Sequence, residues 1–179
     1  DEIAKLIKRG HTIVLVSSGA IATGSRMLGL TSRPKQLPQL QATAAIGQPR
    51  LIVAYEQAFA KHGVTVAQVL LTHAELADRK RYLNARRAME AMIEMGAVAI
   101  INENDTVSTE EIEFGDNDQL AAMVAPMVSA DLLILLSDID GLYDAPPGAN
   151  PNAKLIPVVE SVTADIEAMA GAAESELSR

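Results

Sequence analysis

The chain has no cysteine among its 179 residues, which excludes disulfides and thiolate metal sites. Aromatic residues make up only 3%, against 49% apolar residues overall, so the core is aliphatic, as in buried parallel sheets flanked by helices. Basic residues are also scarce: 15 against 23 acidic ones, a net charge of −8. With no basic stripe, nucleic acid is not an expected partner. No apolar run reaches the roughly 18 residues that a membrane helix needs. The charged opening DEIAKLIKRG has no signal-peptide core. Neither G-x-G-x-x-G nor G-x-x-x-x-G-K-[ST] occurs, so the dinucleotide and P-loop fingerprints are both missing. These absences leave a soluble, cytoplasmic protein, and the chain is long enough for one domain with a sizeable core.

Apolar runs alternate with helical stretches. Residues 1–9 read as the later part of an amphipathic helix, with Ile3, Leu6 and Ile7 on one face and Gly10 as its cap. TIVLV (12–16), VTVAQVLL (64–71), AVAII (97–101) and DLLILL (131–136) read as strands. KLIPVV (154–159) is a fifth candidate, its Pro157 suiting an edge. Helical stretches are expected at 51–61, at 73–95 with Leu83, Ala88, Met92 and Met95 near one face, at 118–129 and at 163–170. Met89, Met92 and Met95 read as core filler. DRKRYLNARRA (78–88) reads as a solvated helical face, with Tyr82 and Leu83 available for a subunit contact. This order predicts an α/β fold built on a parallel sheet with right-handed crossovers. Because the chain starts inside one helix and stops soon after another, it is expected to be a piece of a longer protein.

In open parallel sheets, ligands bind beyond the carboxyl ends of the strands. Four polar segments follow four apolar runs: Ser17-Ser18-Gly19-Ala20, Thr72-His73, Asn102-Glu103-Asn104-Asp105 and Ser137-Asp138. The SSGA turn either caps a helix through a serine hydroxyl or offers backbone N–H groups to a carboxylate or phosphate. NEND, with GDND at 115–118, concentrates acceptors that suit an ammonium group, or Mg²⁺ carrying phosphates, or merely a turn. The stretch TVSTEEIEF between them is long and acidic, as functional loops often are. SDIDG (137–141) follows an apolar run as in the haloacid-dehalogenase phosphatases, where Asp138 would be nucleophile and Asp140 general acid. Only 39 residues follow Asp140, and Leu142 stands where a hydroxyl is usual. A calcium loop fails on glycine position and on the missing twelfth-position glutamate. The three histidines, His11, His62 and His73, are isolated.

Taken together, VLVSSGAIATG (14–24), LLTHAELADRKRYLNAR (70–86), INENDTVST (101–109), FGDNDQLAA (114–122) and LLILLSDIDGLYDA (132–145) resemble the amino acid kinase family. The similarity is to the branch that phosphorylates the side-chain carboxylate of L-glutamate on the route to proline. The resemblance implies an open, mainly parallel sheet between helix layers, a three-layer α/β/α fold, over 1–179 as one kinase domain truncated at both ends. It implies L-glutamate and ATP as substrates, Mg²⁺ carried by the nucleotide, and a homo-oligomer, dimer or tetramer. Ser18, Gly19, Ala20, Asn102, Asp105 and Asn117 would bind glutamate, with Asp105 on its amino group. Asp118 would organise the transfer centre, and Ser137 and Asp138 would lie on the nucleotide side. Glu103, Asn104 and Asp116 are read as shaping turns only.

The family's phosphate-binding lysines have no counterpart here. Lysines stand at 5, 8, 35, 61, 80 and 154, none in a matching motif. Pro146 replaces an aspartate common in the family, and the RNA-binding-like C-terminal domain of some members is not in this sequence. Three readings stay beside the glutamate one: a kinase acting on N-acetylglutamate, the phosphatase using Asp138, and a non-catalytic amino-acid sensor.

Overall fold

The computed structural model describes residues 1–108 and 117–171. Three of the apolar runs form the sheet. β1 (Val14–Val16), β2 (Val66–Leu71) and β3 (Val98–Glu103) are parallel, in the order β1-β3-β2. Every residue of the central strand is buried, as a parallel strand covered on both faces requires. The period-two alternation then divides the side chains between two helix layers. Val14 lies opposite Ala99, and Val16 and Val69 lie opposite Ile101. On that face they pack with Met89 of α5 (Arg79–Glu94) and with Leu120, Val124 and Met127 of α6 (Asn117–Met127). The alternate residues Leu15, Val66, Val98 and Ile100 meet Ile3 and Ile7 of α1 (Glu2–Lys8) and Ile52, Tyr55 and Phe59 of α3 (Leu37–Ala60). The result is the expected open α/β/α arrangement.

α3 is 24 residues long, far longer than the 51–61 expected from sequence. Pro38 sits in its first turn, where a missing N–H costs nothing. Pro49 lies inside the helix, and packing outweighs the usual penalty of about 3 kcal/mol for an interior proline. Much of that packing is against α2 (Ala20–Met27). Gly24 of α2 faces the Thr43 carbonyl, and Gly47 of α3 faces the Ala20 carbonyl. A Cβ on either glycine would collide with that backbone.

The single helix expected over 73–95 is two helices. Thr72 and Glu75 form a reciprocal capping box at the head of α4 (His73–Ala77). Asp78 then ends α4 and starts α5, accepting from the Arg81 amide at 2.8 Å. The stripe that meets the core is Tyr82, Ala85 and Met89. Leu83 is exposed and Met95 is 85% exposed, so the buried face differs from the one read from sequence. Capping at Asp78 resets the start of the helix, and the sheet chooses the buried stripe.

The chain divides into two compact units, Asp1–Leu133 and Ile134–Arg179. Residues 131–136 and 154–159 are not strands, contrary to expectation. A strand needs a ladder of partners as well as apolar side chains; among the described residues 131–136 has no bridge, and 154–159 has only the single one at Leu155. Leu132 and Leu136 are 74% and 91% exposed. The second unit holds one antiparallel bridge, Tyr143 with Leu155, and α7 (Ala164–Gly171). No helix among the described residues is long and apolar enough to cross a membrane.

Candidate functional site

β1 and β3 are neighbours, so the segments leaving their carboxyl ends lie side by side. They open into a cleft of about 410 Å³. On one side is the SSGA turn. The Ser17 amide extends the ladder by donating to the Ile101 carbonyl at 2.8 Å. This turns the Ser17 side chain inward, where its hydroxyl lies 2.8 Å from Tyr55 Oη. Ser18 is exposed and lines the cleft. The N-cap of α2 is Gly19, in the left-handed region at φ 102°, where a side chain would be strained. No side chain caps this helix. The capping alternative for Ser17 and Ser18 is therefore not what forms, and the first-turn amides at Gly19 and Ala20 border the cleft.

The opposite side comes from the end of β3. Asn102 is 3% exposed, and its Nδ2 donates to Gln48 Oε1 of α3 at 2.7 Å. Glu103 is buried and accepts from Ser108 Oγ at 2.8 Å. Asn104 shapes the turn, its amide donating to the Leu71 carbonyl at 2.8 Å and its Oδ1 accepting from Thr106 Oγ1 at 2.7 Å. Asp105 lines the cleft with its carboxyl pushed up to about 6. Burial is the main cause and the neighbouring Glu103 charge the next, while Arg33 pulls the other way. Asn117, at the head of α6, adds a buried Oδ1 with no hydrogen-bond partner.

The structure thus brings Ser18, Gly19, Ala20, Asn102, Asp105 and Asn117 to one cleft. Asp118 is exposed and does not line it. Ser137 and Asp138 lie in the second unit, in an exposed local turn where the Ile139 amide meets Ser137 Oγ at 3.4 Å. Asp140 there accepts from Tyr143 Oη at 3.4 Å. Asp116 lies outside the described residues. Thr72 is spent on the capping box, and none of the six lysines lines the cleft.

Sequence reasoning missed Arg33 and undervalued Glu103. Arg33 sits in SRPK, between α2 and α3, with no strand end to flag it. Glu103 does more than shape a turn: it lines the cleft and raises Asp105. The signal available was its place as the last residue of an otherwise apolar run.

Chemically, the cleft has two halves. Uncapped amides, a serine hydroxyl and a guanidinium suit an anion. Two carboxylates and an unpartnered amide oxygen suit a cation. A zwitterion satisfies both, and its positive group would offset the burial and the Glu103 charge that raise Asp105. No group of three acidic or histidine side chains that could hold a metal occurs among the described residues.

A model of the amino acid kinase family matches residues 1–176. The chain is similar to glutamate 5-kinase of Rhodopseudomonas palustris strain BisB18, 58% identical over 178 residues, 99% of this chain and 47% of that protein. Glutamate 5-kinase of Bradyrhizobium diazoefficiens is 55% identical over 179 residues, 100% of this chain and 48% of that protein. Glutamate 5-kinase of Meiothermus ruber is 58% identical over 170 residues, 95% of this chain and 45% of that protein. The chain spans about half the length of these curated relatives.

Proposed function

Because the chain belongs to the amino acid kinase family, we propose that it carries the L-glutamate pocket of an ATP-dependent glutamate 5-kinase. The observation that carries this reading is the charge-divided cleft between the head of α2 and the end of β3. The Asp105 carboxylate would hold the amino group, with Asn102 and Asn117 completing the acceptor side. Ser18 and the amides of Gly19 and Ala20 would hold a carboxylate. The Glu103–Asp105 pair supports a free ammonium group over an acetylated one, which has no positive charge to offer them.

The chemistry asks mainly for positioning and charge neutralisation. The side-chain carboxylate of glutamate is itself the nucleophile: its oxygen bonds to the γ-phosphorus of ATP, and ADP leaves with the bridging oxygen. Asp118 is proposed to organise the transfer centre through cationic groups, and Ser137 and Asp138 to contact the nucleotide. Mg²⁺ would ride on the ATP phosphates. The phosphate-binding lysines would come from the part of the relatives' length that this sequence does not span, with 1–179 belonging to one kinase domain. A cytoplasmic location, a place in proline biosynthesis and a homo-oligomeric state belong to the same proposal.

The test uses the complete reading frame that contains this sequence. With ATP, Mg²⁺, L-glutamate and hydroxylamine it should form γ-glutamyl hydroxamate, and N-acetyl-L-glutamate should be a poor substitute. A folded protein that makes no glutamate-dependent product refutes the reading.

A further inference from the structure

Three polar side chains of α3 are spaced seven residues apart, two helical turns, and so share one face. Each bonds a residue at or just beyond a strand end, and of those Asn102 lines the cleft while Ser17 adjoins Ser18 and Ser108 bonds Glu103, which do. Gln41 Nε2 donates to the Ser108 carbonyl at 3.0 Å, beyond the end of β3. Gln48 Oε1 accepts from Asn102 Nδ2 at 2.7 Å, at the end of β3 itself. Tyr55 Oη bonds Ser17 Oγ at 2.8 Å, at the end of β1. None of the three lines the cleft. α3 is in turn locked against α2, which bears the anion-facing amides, by the Gly24 and Gly47 contacts. One helix therefore registers both halves of the site.

Gln48 has the most specific chemistry of the three. A carboxamide has a donor head and an acceptor head. With Asn102 Nδ2 committed to Gln48, the head left for the cleft is Oδ1, an acceptor. An acceptor suits an ammonium N–H, whereas the reversed amide would turn a donor towards it.

We propose that Gln48 is a positioning residue for substrate: it fixes the Asn102 carboxamide with its oxygen towards the cleft, so that the site accepts a primary ammonium group. The inference rests on the glutamate reading above. Gln48 makes no contact with substrate and acts through Asn102 alone.

A double-mutant cycle tests it in the complete protein, with the hydroxamate assay as readout. Gln48→Met keeps the bulk and removes the acceptor. It should raise KM for L-glutamate about three- to tenfold, the cost of re-ordering one freed side chain on binding, with KM for ATP and kcat within about twofold. Gln48→Glu retains an acceptor towards Asn102 and should recover most of the affinity. In an Asn102→Ala background, Gln48→Met should add nothing.

Additive effects in the cycle overturn the inference, as does a Gln48→Glu protein no better than Gln48→Met. A joint rise in both KM values with a lowered urea midpoint would mark a merely structural role and also overturn it. If Gln48→Met does not fold, Gln48→Glu decides alone: an amide held the other way round would lose affinity there, by setting acceptor against acceptor. Wild-type protein with no glutamate-dependent product removes the underlying reading as well. An active wild type with unresponsive variants overturns this inference only.

Discussion

A proton and a substrate ammonium group compete for Asp105, so glutamate affinity should follow the ionisation of one carboxyl. Asp105 is raised to about 6, chiefly by burial and then by Glu103. If only the carboxylate binds the ammonium, the apparent Kd is multiplied by one plus the ratio of protonated to ionised Asp105. That factor is close to one above about pH 7, about two at pH 6 and about eleven at pH 5. An unperturbed aspartate near 3.9 would weaken binding by less than about 10% at pH 5, so the two cases are well separated. Calorimetric titration of the complete protein with L-glutamate, from pH 5 to 7.5, reads the profile directly. Asp105→Asn should bind more weakly throughout and lose the dependence.

Stability moves in the opposite sense. A carboxyl whose folded pKa is raised from 3.8 to about 6 favours folding fully only below its unfolded value, and loses that contribution as pH rises through 6. Asp105→Asn should therefore melt higher than wild type at pH 8 and not at pH 4. Wild-type affinity that is flat between pH 5 and 7.5 would refute the assignment of Asp105 to the ammonium group.

The scaffold makes its own predictions, each read from urea unfolding. Gly47→Ala forces a Cβ onto the Ala20 carbonyl and should cost about 1–3 kcal/mol, with glutamate affinity falling as the head of α2 is displaced. Thr72→Ala removes the capping box of α4 and should cost about 0.5–2 kcal/mol without changing KM for glutamate. Met89→Ala empties a fully buried position under the sheet and should cost about 2–5 kcal/mol.

Much of this molecule is legible in local pattern. The apolar runs at 12–16 and 64–71 contain β1 and β2, and 97–101 supplies most of β3, which runs on to Glu103, because their β-branched residues form a buried ladder. The Ser18–Ala20 and Asn102–Asp105 sides of the cleft follow from one topological rule, that ligands bind beyond the carboxyl ends of parallel strands; Thr72 and His73, selected by the same rule, do not line it. What failed to be legible is non-local. DLLILL has the composition of a buried strand, yet composition says nothing about whether a ladder partner is present. The helix expected at 51–61 begins at Leu37, and α3 runs through Pro49 because α2 and the sheet hold it. Asp78 looks like one more charge in DRKRY, and only its bond to the Arg81 amide reveals a helix boundary. Arg33 reaches the cleft from a connecting segment with no periodicity to mark it.

The glutamate reading places the amino acid between the head of α2 and the end of β3. A crystal structure of the complete protein with L-glutamate tests this most directly. The expected complex has the substrate amino nitrogen within about 3 Å of an Asp105 carboxylate oxygen, the Asn102 oxygen towards it, and a substrate carboxylate at the Ser18–Ala20 amides. Glutamate bound elsewhere, or lying here with its amino group turned from Asp105, would contradict it.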